Sequence, residues 1–538
     1  MNLIRFDRRS LTGNLLILLI SIAVFFPTAA QAQHEYKATR TLIRDGKLAE
    51  AVELLEKKIQ QDPTDSEWVA QLAIAQARLG QTNSALENLK KSVAMDAPPE
   101  RFVAEIQNLL KPVADSPEFQ AWLKEQPQGI IHGPMLGALH EEGVQIWIRT
   151  AGPRDVRLQV IRQGAVENEP FRETKKTGAD SDYTAVFILD RLIPDSEYRY
   201  QFDVKVGEDW QEGPKGTFRT LTPPGKPRKF SIAFGGGAGY VPQNERMWTT
   251  IEKFDPAALL LLGDNVYIDM PKSREMQRFC YYRRHARPEF RRLIKNRPVF
   301  TIWDDHDFGT NDCLGGAEID NPSWKPEVWE VYRQNWANPA YGGGKDRPGC
   351  WYDFQLGDVQ FFMLDGRYYR TNPRQKPATM LGPQQKAWLK DRLKASQATF
   401  KVLVSPVPWD FRTKGDSLDT WNGFREERGE LFSFLTRNKI EGVFLMSADR
   451  HRSDAWKIDR ENDYALYEFE SSRLTNLHRH GPMKEAIFSY SDSQSFGLVE
   501  FDTTANDPTV KYTVITIDGE PVESLTLKRR QLELESAR

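Results

Sequence analysis

Ala258-Leu259-Leu260-Leu261-Leu262-Gly263-Asp264-Asn265-Val266-Tyr267-Ile268-Asp269 is an apolar run that stops at a glycine and turns at once to carboxylates. A short apolar run ended by a turn residue reads as a buried strand. Carboxylates directly behind such a strand are costly unless they face solvent, a cation or a counter-charge. The pattern recurs downstream. The run 299–303 ends in Asp304-Asp305-His306-Asp307, and the run 359–364 in Asp365-Gly366-Arg367-Tyr368-Tyr369-Arg370. The run 442–446 ends in Ser447-Ala448-Asp449-Arg450-His451-Arg452. Helical stretches separate these runs, and others lie at 230–234 and 401–404. Residues 228–505 therefore predict an α/β core whose site sits at the carboxyl ends of its strands. Four polar strand ends, two of them holding Asp beside His, suggest a shared metal cluster; the arginines suggest an anionic substrate.

Upstream, residues 128–222 change character. Gly143-Val144-Gln145-Ile146-Trp147-Ile148-Arg149 alternates apolar and polar, and short runs with turn signals between them predict a β-sandwich. Its Leu192-Ile193-Pro194-Asp195-Ser196-Glu197-Tyr198-Arg199-Tyr200 pattern resembles fibronectin type III domains. Pro223-Pro224-Gly225-Lys226-Pro227 reads as the linker out. Residues 33–125 are helical in pattern and repeat at the tetratricopeptide spacing: Gly46 and Gly80, Ala51 and Ala85, Leu55 and Leu89 stand at one common offset. Barely two units fit either a short peptide-binding array or a plain helical hairpin or cap. Either way the segment reads as an appended module that can be deleted without unfolding the rest. The end, 506–538, predicts a closing strand and a charged tail from Lys528.

The first 32 residues have the parts of a cleavable signal peptide: Arg5, Arg8 and Arg9, an apolar run over 15–26, and Ala30-Gln31-Ala32. Cleavage after Ala32 would leave no membrane anchor and put the mature protein in the periplasm or outside the cell. Arg8-Arg9-Ser10-Leu11 is a loose twin-arginine signal beside the ordinary secretory features. With 28% charged residues and a net charge of −2, the 538-residue chain has ordinary globular composition and no signal for nucleic acid. Three cysteines, 280, 313 and 350, allow one disulfide but no disulfide scaffold.

Gly263-Asp264-Asn265-Val266-Tyr267, the ten residues from Trp303 to Asp312, Leu364-Asp365-Gly366-Arg367-Tyr368-Tyr369-Arg370, the stretch 379–389 and Asp449-Arg450-His451 resemble, in order, the motifs of the PhoD-like alkaline phosphatases. The resemblance implies the calcineurin-like metallophosphoesterase fold, an α/β/β/α sandwich with a two-metal centre. By that resemblance Asp264 bridges two metals and Tyr267 is a phenolate ligand to a ferric ion. Asp305 binds the second metal, Asp449 and His451 close the coordination, and His306 faces the leaving group. Arg367 is assigned to catalysis, and Asn265, Arg370 and Arg450 to substrate binding, although the two arginines 367 and 370 also fit a structural ion pair. Oxygen-rich ligands suit two or more metal ions, Fe(III) with Ca²⁺, or Mn²⁺ or Zn²⁺ in their place.

The chain departs from the family at Gly236-Gly237, where a Ser-Cys is common, and at Ala448, where Gly is usual. One metal ligand is thereby missing; a Cys restored at 237, or Cys313 nearby, is the expected remedy. Two functions are expected from these residues. One is hydrolysis of phosphate mono- or diesters through a metal-activated hydroxide. The other is a degenerate, non-catalytic scaffold that binds a protein partner through the helical repeats.

Overall fold

The computed structural model describes residues 29–164, 170–461 and 463–534. The leader proposed for residues 1–32 lies, through residue 28, outside the described residues. No helix among those described is long and apolar enough to cross a membrane.

Among the described residues, six α-helices come first: α1 (Ala29–Arg44), α2 (Leu48–Gln61), α3 (Ser66–Arg78), α4 (Thr82–Ala94), α5 (Pro99–Glu105) and α6 (Pro117–Lys124). The 34-residue offset has a local cause. Gly46 and Gly80 take φ of 72° and 74° just past α1 and α3, the left-handed turn that ends a helix without a Cβ penalty. Ala51, Ala85, Leu55 and Leu89 are fully buried at equivalent positions. Asp65 caps α3 by accepting from the Glu67 amide.

Seven strands follow among the described residues: β1 (Ile130–His140), β2 (Gly143–Thr150), β3 (Asp155–Arg162), β4 (Phe171–Lys176), β5 (Thr184–Leu189), β6 (Glu197–Val206) and β7 (Asp209–Arg219). They form two antiparallel sheets, β1-β2-β5 and β4-β3-β6-β7. Phe187 of the first sheet meets Phe202 of the second at 5.3 Å. Arg149 anchors this unit to the α/β core, pairing with Asp182 at 2.8 Å and bonding Asn335 at 3.0 Å.

That core runs β8 (Lys229–Gly235), α7 (Arg246–Lys253), β9 (Leu259–Leu262), α8 (Arg274–His285), α9 (Pro288–Ile294), β10 (Val299–Ile302), α10 (Asp305–Phe308) and α11 (Lys325–Asn335). It continues through β11 (Tyr352–Leu356), β12 (Val359–Met363), α12 (Gly382–Ala395), β13 (Phe400–Val404), α13 (Arg425–Arg437), β14 (Val443–Ser447), β15 (Ser453–Arg460) and β16 (Asp463–Ser471). It closes with β17 (Phe488–Tyr490), β18 (Ser495–Asp502), β19 (Thr509–Thr516) and β20 (Pro521–Lys528). One sheet has the order β10-β9-β8-β18-β19-β20, the other β11-β12-β13-β14-β16-β15-β17. Aromatic pairs join them: Phe300 on Phe354 at 3.7 Å, Phe361 on Phe501 at 6.0 Å, Phe469 on Tyr512 at 4.9 Å. Gly497 leaves room for a ring within its own sheet, since a Cβ there would lie 2.0 Å from Phe234.

Residues 529–534, the described part of the segment after Lys528, pack on the core. Leu532 is fully buried, and its carbonyl accepts from the Gly442 amide. Arg529 also donates to the Thr399 carbonyl at 2.9 Å, and the Leu534 amide to Glu441 at 3.1 Å. All three cysteines are free thiols.

The helices do not stand apart from this core. Glu67 of α3 pairs with Arg101 of α5 at 2.6 Å and with Arg283 of α8 at 3.1 Å, all three buried. Burial alone would raise the Glu67 carboxyl; the two guanidiniums outweigh it and hold it at about 2. Arg40 of α1 donates to the Tyr267 carbonyl at 3.1 Å. Apart from Arg78, every residue of α3 is buried.

Candidate metal centre

The loops leaving β9, β10, β13, β14 and β16 converge on a cleft of about 260 Å³. Gly263 lets the first two approach: its φ is 107°, and a Cβ there would sit 2.5 Å from the Asp304 Cβ. Asp264, Tyr267 and Asp269 come after it at φ of 54°, 52° and 58°, and Asp449 and His451 stand at 74° and 49°. Left-handed non-glycine residues store strain and cluster where a surrounding structure holds side chains to a task.

The Asp304–Asp307 tetrad divides its work. Asp307 accepts from the Asn265 and Val266 amides, both at 2.9 Å, and so ties the first loop to α10. Asp304 turns inward to Arg367. Asp305 and His306 face the cleft. Donor atoms of Asp264, Asp305 and His306 all lie within 4.8 Å of one another. His306 Nδ1 is 2.7 Å from Asp269 Oδ1, and its ring stacks on Tyr267 at 4.7 Å. Lys37 of α1 reaches the same Asp269 oxygen at 3.0 Å. Burial would raise Asp269; the His306 bond and charge, with Lys37 behind them, hold it at about 2.

These residues fit a cation. Asp264 Oδ1 is buried and has no hydrogen-bond partner among the described residues. Burial pushes the Asp264 carboxyl well above its usual range, with Asp305 and Asp304 adding to the push and His306 opposing it. Burial, then Asp264, likewise lifts the Tyr267 phenol, so a phenolate there requires a positive ion beside it. The donor set is carboxylates, a phenol and imidazoles, which matches hard and borderline metals.

Asp264, Tyr267, Asp305, His306, Asp449, Arg450 and His451 line this one cleft. Asn265 does not: its amide donates to the Ile302 carbonyl at 2.8 Å, where it pins the loop. Arg367 and Arg370 correct the sequence reading. Both are fully buried and bind Asp419, with Arg367 also on Asp304. They lie behind the wall of the cleft as an ion-pair network, and no face is left for substrate. Arg450 remains, 3.8 Å from Asp449. Cys313 is no substitute ligand: its Sγ lies 3.8 Å from the Asp305 carbonyl, outside the cleft lining, and burial pushes the thiol up to about 12.

Sequence reasoning missed Lys37, Arg40, Asn311, Asp312, Lys414, Asn476, His478 and His480, which also line the cleft. Lys414 lies 3.1 Å from Asp419, 3.2 Å from Asp449 and 3.6 Å from Asp312. Burial opposes its charge, but these three carboxylates outweigh that and raise its pKa. Asn476 donates to Tyr267 Oη at 2.5 Å. A sequence signal existed for the histidines, since His478-Arg479-His480 holds two of only eight in the chain.

At the glycine turn, Gly237 has φ 67°, and a Cβ would lie 2.9 Å from the Arg473 amide nitrogen and 3.1 Å from Ser472 Oγ. Its side-chain direction therefore leads into the 472–473 backbone. Gly237→Cys is expected to destabilise the protein by about 1–3 kcal/mol and to add no metal. Denaturant midpoint and elemental analysis check both parts, and an extra equivalent of iron would reverse the reading.

The family described as PhoD-like phosphatase matches residues 232–520, and a tetratricopeptide repeat model matches residues 42–109. Alkaline phosphatase D of Bacillus subtilis (strain 168) is 24% identical over 384 residues, covering 60% of this chain. The match spans 64% of that relative's own length. A solved structure of PhoD superposes with a TM-score of 0.62 at 18% identity, covering 77% of this chain and 93% of that one. The purple acid phosphatase PPD1 from yellow lupin (Lupinus luteus) seeds gives 0.53 at 13%, covering 74% and 76%. These likenesses establish the shared two-sheet fold. With the family match covering more than half of the sequence, the chain belongs to the PhoD-like phosphatase family.

Proposed function

We propose that the protein is a metal-dependent phosphoesterase that hydrolyses phosphate mono- or diesters. The observation that carries this is the approach of Asp264, Asp305 and His306 donors within 4.8 Å, with a buried Asp264 oxygen left unpartnered. Asp264, Tyr267, Asp305, Asp449 and His451 would hold the ions, with Fe(III) and Ca²⁺ the pair best suited to the oxygen donors and Mn²⁺ or Zn²⁺ the alternatives. Bound there, two cations neutralise phosphoester charge and lower the pKa of a water. Asp269 holds His306 through Nδ1, which leaves Nε2 to face the leaving oxygen. Arg450 supplies fixed positive charge on the same wall.

The non-catalytic scaffold loses its main support. Lys37 of α1 and Glu67 of α3 pair with Asp269 and Arg283 of the α/β core, and Lys37 and Arg40 of α1 wall the cleft. We read the seven-stranded unit as fibronectin type III-like, supported by its three- and four-stranded sheets. Export to the periplasm or medium is proposed on the leader sequence.

His306→Ala is expected to keep the metals and to slow turnover about 10²–10⁴-fold, the range for loss of a general acid. An aryl phosphate monoester and diester, assayed beside elemental analysis, provide the check. Fully loaded wild type without activity on either ester would defeat the hydrolase reading.

A further inference from the structure

One wall of the cleft is a helix that lies outside the family-matched span 232–520: α1, Ala29–Arg44. Its seat is fixed on both sides of Lys37. The Tyr36 ring packs on Trp68 at 4.2 Å, and its hydroxyl donates to Asp65. Thr39 Oγ1 donates to Gln71 Oε1 at 2.6 Å. Arg40, buried, donates to the Tyr267 carbonyl at 3.1 Å and to Cys280 Sγ at 2.7 Å. Residues three apart share a helix face, so Lys37 stands beside Arg40 and both line the cleft.

Among the described residues, four lysines and arginines line the cleft, and three already have a task. Arg40 holds the Tyr267 carbonyl. Lys414 sits among Asp419, Asp449 and Asp312. Arg450 is buried beside Asp449, on the wall assigned to the phosphoryl group. Lys37 differs. Asp269, at 3.0 Å, is its one ionic partner among the described residues, and its side chain is 36% exposed. An ammonium has three donors, so two remain for a ligand. The same Asp269 oxygen lies 2.7 Å from His306 Nδ1. Lys37 therefore stands on the side of the cleft where His306 meets the leaving oxygen, away from Asp449 and Arg450.

We infer that Lys37 receives a second negative charge carried by the alcohol part of the substrate, so that the enzyme prefers esters whose leaving alcohol itself bears a carboxylate or a phosphate. The metal centre and Arg450 meet the phosphoryl group, which every phosphoester shares, and so do not distinguish one alcohol from another. A half-exposed ammonium is a point charge on a flexible stem; it selects charge and not shape, and takes either anion. The inference rests on the phosphoesterase reading and adds a substrate class to it. It also gives the helical region a part in specificity, through the one helix that reaches the leaving-group side.

The test uses the metal-loaded mature chain and two matched pairs of esters, each offered as monoester and as methyl diester. One pair is para-carboxyphenyl phosphate and its neutral carboxylic methyl ester; the other is propanediol bisphosphate and propyl phosphate. Comparing the ratio of kcat/KM, charged over neutral, between variants cancels the intrinsic reactivity of each leaving group. In Lys37→Met this ratio should fall about 10-fold, the loss of one charge-assisted hydrogen bond, and the fall should sit in KM. Lys37→Arg should keep the ratio, and Lys37→Glu should lower it further. Added salt should shrink the wild-type ratio and leave that of Lys37→Met nearly flat. Lys37→Gln repeats the measurement if Lys37→Met loses soluble expression, and should show the same fall. A fall in the bisphosphate pair alone would confine the class to phosphate-bearing alcohols. An equal loss on charged and neutral esters, with the ratio unchanged, would overturn the inference and leave Lys37 as a support for Asp269. Loaded wild type inert toward every ester would instead overturn the phosphoesterase reading, and this inference with it.

Discussion

Asp264→Asn is expected to lose the carboxylate-bound metals and to slow ester hydrolysis by more than about 10³-fold, since Lewis-acid stabilisation of about 4 kcal/mol corresponds to that factor. The fold should survive the change. Asp264 sits at φ 54°, and asparagine tolerates the left-handed region as well as aspartate does. The metal-free proteins should diverge in the opposite sense. Burial raises the folded Asp264 pKa above its usual 3.8, so the ion-free wild type loses stability as the pH rises through and beyond that value. The asparagine variant carries no such penalty. At neutral pH, stripped Asp264→Asn should therefore unfold at an equal or higher temperature than stripped wild type, while holding less metal when refilled. Calorimetry and elemental analysis on the same samples decide it; a wild-type metal content in the variant would remove Asp264 from the centre.

Glu67→Gln is expected to produce the largest loss of stability, about 3–5 kcal/mol, because it leaves the buried Arg101 and Arg283 without their carboxylate. Its pH dependence comes from the depressed pKa. The Glu67 contribution is fully present above its ordinary 4.5 and is lost as the pH falls toward about 2. The gap between wild type and variant should accordingly close in acid, as urea midpoints measured from neutral pH downward would reveal. Removing residues 33–125 altogether also takes the Arg101 guanidinium off the Phe279 and Tyr240 rings. Loss of soluble expression is the expected outcome. A soluble, metal-binding truncated chain would restore the appended-module reading.

Most of the catalytic fold was legible from local pattern. A buried parallel strand is a short apolar run, and a polar cluster behind it marks the carboxyl end of the sheet, so Asp264, Asp305, His306, Asp449 and His451 could be found by position alone. The paired glycines 46 and 80 likewise announced two like helical units, because only a left-handed turn needs them at that spacing. What could not be read is where a charge points. Arg367 and Arg370 stand in the same motif as a strand-end Asp, yet Asp419, remote in sequence, captures both. Sequence spacing carries no information about a partner 49 to 52 residues away.

Backbone periodicity and the cost of burying carboxylates are local properties of the chain. The order of residues was therefore enough to specify the sheet core and the strand ends that line the cleft. Three-dimensional packing was needed to reveal that α1 walls the cleft with Lys37 and Arg40, that His478 and His480 face His451, and that Glu67 joins the helices to α8. Those contacts join segments far apart in the chain. Their energy comes from desolvated charges and rings that meet only after the sheets have packed.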